Sequence, residues 1–507
     1  DAVAEDVADD TEGPEDATDA ADVTEDGEEP TDTSEGDDVA DTVGDTADAP
    51  DLADSDGGGT ESDCGPAPPM PASEFATVYD VGPGESYETP GEVPWESIDA
   101  GTLVRIHHRS EPYASKWVIN TEGTAQAPVV VRGIPSGGDL PVITGADATT
   151  RETLDFWSEG RGVIKIGGSS TPSTPDGPSH VYIENLEITG GNHNNSFSDD
   201  GGSTASYGDN AAAVYIEEGS NIVVRNCEIH TNGNGLFAAH ASRDVLISGN
   251  RIRNNGVAGS IYEHNSYTES HGITFQYNYF GTLCDDCDGN NLKDRSAGTV
   301  VRYNWIEGGN RQLDLVDSSN VNGDSDYGTT MVYGNVLLEM PGEGNRQVLH
   351  YGGDSGTTSQ YRKGTLYFFH NTVYSTRNGR TTLMRLSTND ETAEVRNNIV
   401  YGTAGGDQIE ITNDAGVVNL EYNWLPDGWV DSFGGSFSGT INASNNVVGS
   451  DPGFVDPGAS DFALTSGSDA VGAAGSLSSP ATSPECQYGV HTGGTARSSA
   501  SDLGAFE

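Results

Sequence analysis

NIVVRNCEI (221–229), DVLISGNRI (244–252), GITFQYNYF (272–280) and GTVVRYNWI (298–306) are four versions of one phrase: a short alternating apolar run, an asparagine, and a second short apolar run. The phrase recurs as VYIENLEI (181–188), TTMVYGNVL (329–337), TLYFFHNTV (365–373), TAEVRNNIV (392–400) and VVNLEYNWL (417–425). Its asparagines, Asn185, Asn226, Asn250, Asn278, Asn304, Asn335, Asn371, Asn398 and Asn423, are spaced 41, 24, 28, 26, 31, 36, 27 and 25 residues apart. A near-fixed period with variable excess marks one supersecondary unit with loops inserted at set corners. The alternation has the period of strands, with Gly, Asn, Asp or Ser at the breaks and no helical period. Three short strands per unit, stacked in parallel at about 4.8 Å, make an all-β right-handed parallel β-helix of about ten coils, with inward asparagines forming a ladder at one corner. Sandwiches and propellers call for tighter hairpin chemistry.

Outward from this core of repeats the composition changes. Residues 1–63 hold 26 of the 80 acidic side chains and no Lys, Arg or aromatic residue, and the whole chain has a formal charge of -57. A segment so acidic and so poor in apolar surface is expected to be a disordered tether extended by self-repulsion. Residues 64–100 form a Pro/Gly-rich lead-in and N-terminal cap, 101–445 the β-helix, and 446–507 its C-terminal coils and cap. The charge argues against a nucleic-acid partner, and no apolar run is long enough to span a membrane. Few lysines, an acidic tether and a start at Asp1 without Met or an apolar signal core point to an extracytoplasmic protein, secreted or attached to the outer surface with room for a lipid anchor upstream. A monomer is expected. Five cysteines leave at least one unpaired, and Cys284 with Cys287 can clip their own loop, stay reduced or bind metal.

The first strand of successive coils is read in Leu236–His240, IYEHN (261–265), NLKDR (291–295), QLDLVD (312–317), VLHYG (348–352), LMRLS (383–387) and QIEIT (408–412). Alternation turns Leu236, Ile261, Leu292, Leu313, Leu315, Ile409 and Ile411 inward. Phe237, Tyr262 or His264, Lys293 with Arg295, Asp314, His350, Arg385 and Glu410 then face solvent as one stacked row. Parallel faces are ordinarily filled with Thr, Val, Ser or Asn, so ionisable groups of both signs on consecutive coils mark a candidate site, as does its flanking by the long loops 281–290, 317–328 and 352–364.

The repeats together with GNNLKDRSAGTVVRYNWI (289–306), VYGNVL (332–337), VLHYGGDSG (348–356), VRNNIVYG (395–402) and the closing LGAFE (503–507) resemble the right-handed β-helix proteins of the pectate-lyase-like superfamily over about residues 100–507. That resemblance implies a glycan groove along the first-strand face, on a fold that also carries hydrolases, epimerases, adhesins and phage spikes. It implies a polysaccharide lyase acting on an acidic, uronate-containing glycan. Lys293 or His350 is then the candidate base, and Arg295 or Arg311 neutralises the carboxylate. Phe237, Tyr262, His264, Arg346, Arg385 and Glu410 are expected to bind substrate. Ca²⁺ is the one cofactor considered, through Asp314, Asp317, Asp324 and Asp326. In alginate and chondroitin lyases of this type a groove lysine is followed one coil later by arginine; here that strand offers Asp314. Two other classes compete. A non-catalytic glycan-binding or adhesive protein would rest on Phe237, Tyr262 and Tyr351, and a glycoside hydrolase would need a carboxylate pair such as Asp314 and Asp317.

Overall fold

A computed structural model describes residues 64–507 apart from 343, 435, 436 and 492. The tether expected over 1–63 lies outside the described residues. The chain winds as a parallel β-helix with three faces. Eleven strands, from Val142–Thr144 to Val447–Gly449, stack as the third face, one sheet paired in parallel throughout. The second face runs from Thr77–Val81 to Thr440–Ser444. The first face begins at Ser115–Ile119 and includes Leu292–Asp294, Leu313–Leu315, Gln347–Tyr351, Thr381–Leu386 and Ile409–Thr412. Inward residues of all three faces merge into one continuous apolar core.

The corner between second and third faces explains the repeat. Asn278 Nδ2 donates to Asn304 Oδ1 at 2.9 Å, Asn304 to Asn335 at 3.0 Å, and the chain of amides continues through Asn371, Asn398 and Asn423 to Asn446. Each amide also serves buried backbone, as when Asn304 Nδ2 donates to Phe275 O at 2.9 Å. The chain turns on the residue just before, which is left-handed: Tyr277 (φ 56), Tyr303 (φ 54), His370 (φ 50) and Asn397 (φ 59). Asn185 (φ 58) and Asn226 (φ 53) hold this turning position and not the ladder position, where Leu186 and Cys227 point inward instead. Asparagine tolerates both places, so spacing alone misassigned these two by one residue. A second ladder, Asn232–Asn255–Asn265–Asn291, follows the corner between the third and first faces.

Beyond Val447–Gly449 the chain does not go on coiling as expected for 446–507. It folds back along the third face through two small antiparallel pairs, Phe454–Asp456 with Asp461–Leu464 and Cys486–Gly489 with Gly493–Ala496. Phe454, Phe462, Tyr488, Leu503 and Phe506 pack there on Trp305, Val336, Ile399 and Trp424. LGAFE is the seal of this return: Gly504 N donates to Asn397 O at 2.8 Å and Ala505 N to Thr372 Oγ1 at 3.0 Å. A Cβ on Gly504 (φ 85) would stand 2.8 Å from that hydroxyl, so glycine is required. Disulfides join Cys64 to Cys486 and Cys284 to Cys287, leaving Cys227 buried and free. No helix of the described residues is long and apolar enough to cross a membrane.

Candidate active site on the first face

Cα pairing fixes the row. Tyr215, Phe237, Tyr267, Lys293, Asp314, His350 and Arg385 lie opposite one another on successive coils. The segment IYEHN does not fill its assigned slot. Ser266–Thr268 does, and Ile261 and Tyr262 stand in the preceding loop, both about two-fifths exposed (42% and 41%). His264 is buried at the corner of the same coil just before that strand, where its Nδ1 accepts from Asn290 N at 2.9 Å. Burial first, then the neighbouring Lys293, pushes its pKa down to about 3. Glu410 lies opposite Thr382, not beside Arg385. It is buried, accepts from Phe433 N at 2.6 Å and faces Arg346 Nε at 3.5 Å. Arg385 reaches Asp414 Oδ2 at 3.0 Å on the rim.

Phe237 keeps its expected place in an aromatic ladder, 5.3 Å from the Tyr215 ring and 5.2 Å from Tyr267, with Arg161 5.1 Å above it. Tyr267 was missed by the sequence reading. The signal for it was there: Tyr267 and Lys293 are as far apart in sequence as the ladder partners Asn278 and Asn304 on the same two coils, 26 residues.

Lys293, Asp314 and His350 share the row, yet they do not meet solvent as expected. The loop 352–364 roofs them, and all three are at least nine-tenths buried. The loop is anchored by Arg362, whose Nε donates to Val316 O at 2.6 Å and whose NH2 pairs with Asp294 at 3.1 Å, and by Ser387, whose Oγ accepts from Gly353 N at 2.9 Å. Between these anchors Asp354 turns down onto the row. Its carboxylate takes Lys293 Nζ at 2.8 Å and both terminal nitrogens of Arg295, at 2.8 and 3.0 Å. Asp354 was also missed, since nothing in GGDSG tells whether its acid faces water or the row.

Electrostatics follow from this roof. Burial alone would lower the Lys293 pKa, but the Asp314 and Asp354 carboxylates overcome it and hold it above the ordinary value. Lys293 is therefore a fixed cation, which contradicts its assignment as base. Burial would raise Asp314 and Asp354; Lys293, with His350 and Arg311 on the one and Arg295 on the other, holds both carboxyls well below the usual range instead. Burial lowers the His350 pKa against the pull of Asp314. The ionised Asp314, an acceptor only, takes Nδ1–H at 2.9 Å, leaving Nε2 to accept from Ser387 Oγ at 2.9 Å. With both nitrogens engaged and the ring buried, His350 orients the row and is not an accessible base here.

Arg311 donates to Gln347 Oε1 at 3.0 Å and lies 3.7 Å from Asp314. The four carboxylates expected to hold Ca²⁺ do not gather. Asp314 serves the row, Asp317 accepts from Asp354 N at 2.8 Å and from Ser355, and Asp324 pairs with His271 Nδ1 at 2.5 Å. Asp326 lies on the same loop, where its backbone carbonyl accepts from Thr329 N at 2.9 Å. Among the described residues the group of three potential ligands within 4.8 Å of one another is Asp80, Glu85 and His107, on the first coils. These residues do not fit a Ca²⁺ site in the row, and none of its chemistry is routed through one.

No family model and no curated protein matches the chain. Solved structures do. A pectate lyase, Pel9A, matches with 12% identity over 85% of this chain and 96% of its own, at a TM-score of 0.47. An alginate lyase from Paenibacillus sp. str. FPU-7 matches with 11% identity over 72% and 99%, at 0.45. The tailspike protein of E. coli bacteriophage HK620 matches with 10% identity over 69% and 59%, at 0.39. Lyases and a phage spike are thus alike in outline to this chain, and the coil-by-coil pairing above is what defines the fold.

Proposed function

We propose that the first face binds a uronic-acid-containing polysaccharide and cleaves it by β-elimination. One observation carries the reading: Lys293 and Arg295, fixed on a rigid strand, converge on a single carboxylate beside the half-buried Tyr267, whose Oη lies 3.1 Å from Arg295 Nε. Elimination from a uronate needs its carboxylate neutralised, a base for the α-proton, and a proton for the leaving oxygen. With the sugar carboxylate on Lys293 and Arg295, Tyr267 is the group at the α-carbon. Acting as its phenolate, to which Arg295 Nε donates, Tyr267 takes the C5 proton; the C–H electrons form the C4=C5 double bond, the C4–O bond breaks, and the phenol so formed gives its proton to the leaving oxygen, which restores the phenolate. The aromatic ladder Tyr215–Phe237–Tyr267 supplies ring faces for adjoining sugars. We further propose an extracytoplasmic location, where such polymers are met.

The test is absorbance of the unsaturated product from a panel of uronate polymers, with and without Ca²⁺. Tyr267→Phe should cost at least ~10²-fold in rate, and Arg295→Ala about 10²- to 10³-fold. New reducing ends without absorbance would replace the lyase by a hydrolase. Binding that depends on Phe237, with neither signal, would replace it by a glycan-binding surface.

A further inference from the structure

We infer that Lys293 and Arg295 form a receptor for one carboxylate and that Asp354 is its built-in occupant, exchanged for the carboxylate of an acidic sugar when the 352–364 loop lifts. This rests on the uronate reading above and adds what holds the site closed.

The two cations and their occupant differ in how they are fixed. Lys293 lies within the strand Leu292–Asp294 and Arg295 directly follows it, paired on both sides by neighbouring coils. Arg295 NH1 is also braced by Asp317 O at 2.6 Å. Asp354 comes instead from a loop whose next residues, 356–359, are exposed. Gly352 (φ 130) and Gly356 (φ 75) flank it, both in backbone regions that favour glycine. The receptor belongs to the scaffold, and the occupant belongs to an inserted loop fastened to that scaffold by polar contacts at Asp317, Ser387 and Arg362.

The charge balance points the same way. Among the described residues Lys293, Arg295 and Arg311 face Asp314, Asp317 and Asp354. Asp314 is held by Asn290 and Lys293 on the coil before and His350 on the coil after, whereas Asp317, just past the strand Leu313–Leu315, takes Asp354 N at 2.8 Å and Ser355 and so ties the base of the loop to the scaffold. Raising Asp354 takes one negative charge out of a dry site, and one incoming carboxylate of the same bidentate geometry puts it back. A neutral sugar cannot.

The experiment uses the full chain with Asp354→Ala and Asp354→Asn, and isothermal titration with sodium glucuronate as the probe and glucose as control. Both variants should bind glucuronate at least tenfold more tightly than the unmodified protein, with no gain for glucose, and adding Arg295→Ala should abolish the gain. Folded variants that bind glucuronate no better than the unmodified protein would overturn the inference. If neither variant folds, amide exchange of peptide 353–361 in the unmodified protein decides. Acceleration by glucuronate and not by glucose supports the exchange of occupants; unchanged exchange refutes it. A lyase assay on the same samples separates the two readings. Tight glucuronate binding without cleavage of any uronate polymer leaves the receptor standing and removes the lyase, whereas cleavage without the binding gain does the reverse.

Discussion

The first and third faces are both roofed by chain that lies outside the coils, but the roofs are made of different material. On the third face Phe454, Phe462 and Tyr488 pack against Trp305 and its neighbours. On the first face Asp354 meets Lys293 and Arg295. Apolar contact is non-directional, and its strength follows the area withdrawn from water, so the first of these roofs holds wherever the surfaces meet. An ion pair in a dry site holds only while its partner has the right charge and geometry, and a solute carboxylate can compete for that place. The difference separates a covering that completes the fold from one suited to binding.

The largest effect should come from the apolar roof. Trp305→Ala removes a fully buried ring shared by coil and return, and a stability loss of about 3–5 kcal/mol is expected in denaturant titration. A loss under about 1 kcal/mol would mean that the return is loosely laid. Replacing Cys64 and Cys486 by serine should cost about 2–5 kcal/mol, read as a lower thermal midpoint, with peptides from 454–496 gaining exchange first. Equal gains over the coils would show that the bridge holds the solenoid and not its return.

Acid should divide the two faces. Asp314 and Asp354 have folded-state pKa values below those they take when unfolded, so their contribution is complete above about pH 4 and is lost as the pH falls through the folded values. Lys293, whose pKa the same two carboxylates raise, stays charged through that range, and at higher pH the pairing is lost only in strong alkali. After correction for intrinsic rates, amide exchange of 353–361 should rise on going from pH 7 to about pH 3 while 454–464 stays protected. Protection of both would break the contrast. The smallest effect belongs to the rim. Arg385→Ala, which loses a partly exposed pair with Asp414, should change stability by no more than ~0.5 kcal/mol.

The coil was legible because the ladder asparagines report a constraint repeated on each turn from Asn250 to Asn446, and Lys293, Asp314 and His350 were aligned for the same reason. Register failed where a loop of variable length precedes the first strand. Five residues of slip put Tyr262 in the place of Tyr267, although both segments alternate acceptably. Burial of the row was not legible either, since alternation says which way a side chain leaves the coil and nothing about what a loop 60 residues later lays over it. Asp354 is 61 residues from Lys293 and 59 from Arg295. The return of 450–507 escaped for a related reason. Short apolar runs in 446–507 suit further coils as well as a return, and only the partners of its aromatics, Trp305 and Trp424 on the outside of the third face, show that they pack from without.

The bond between Cys64 and Cys486 spans 422 residues of sequence, and Cys64 is where the acidic segment joins the described chain. A pull on that segment reaches a covalent crosslink before it reaches any rung of the solenoid. The load is passed to the hairpin at 486–496, beside Tyr277 in the middle coils, and not to the first strand at Thr77–Val81. Hydrogen bonds of a terminal strand peel one at a time under tension, whereas a force delivered at mid-length to a packed return must shear many contacts together. With the disulfide intact, tension applied at Cys64 is therefore expected to be shared by the packed return and the middle coils, whereas after reduction the same tension would meet the strand Thr77–Val81 first.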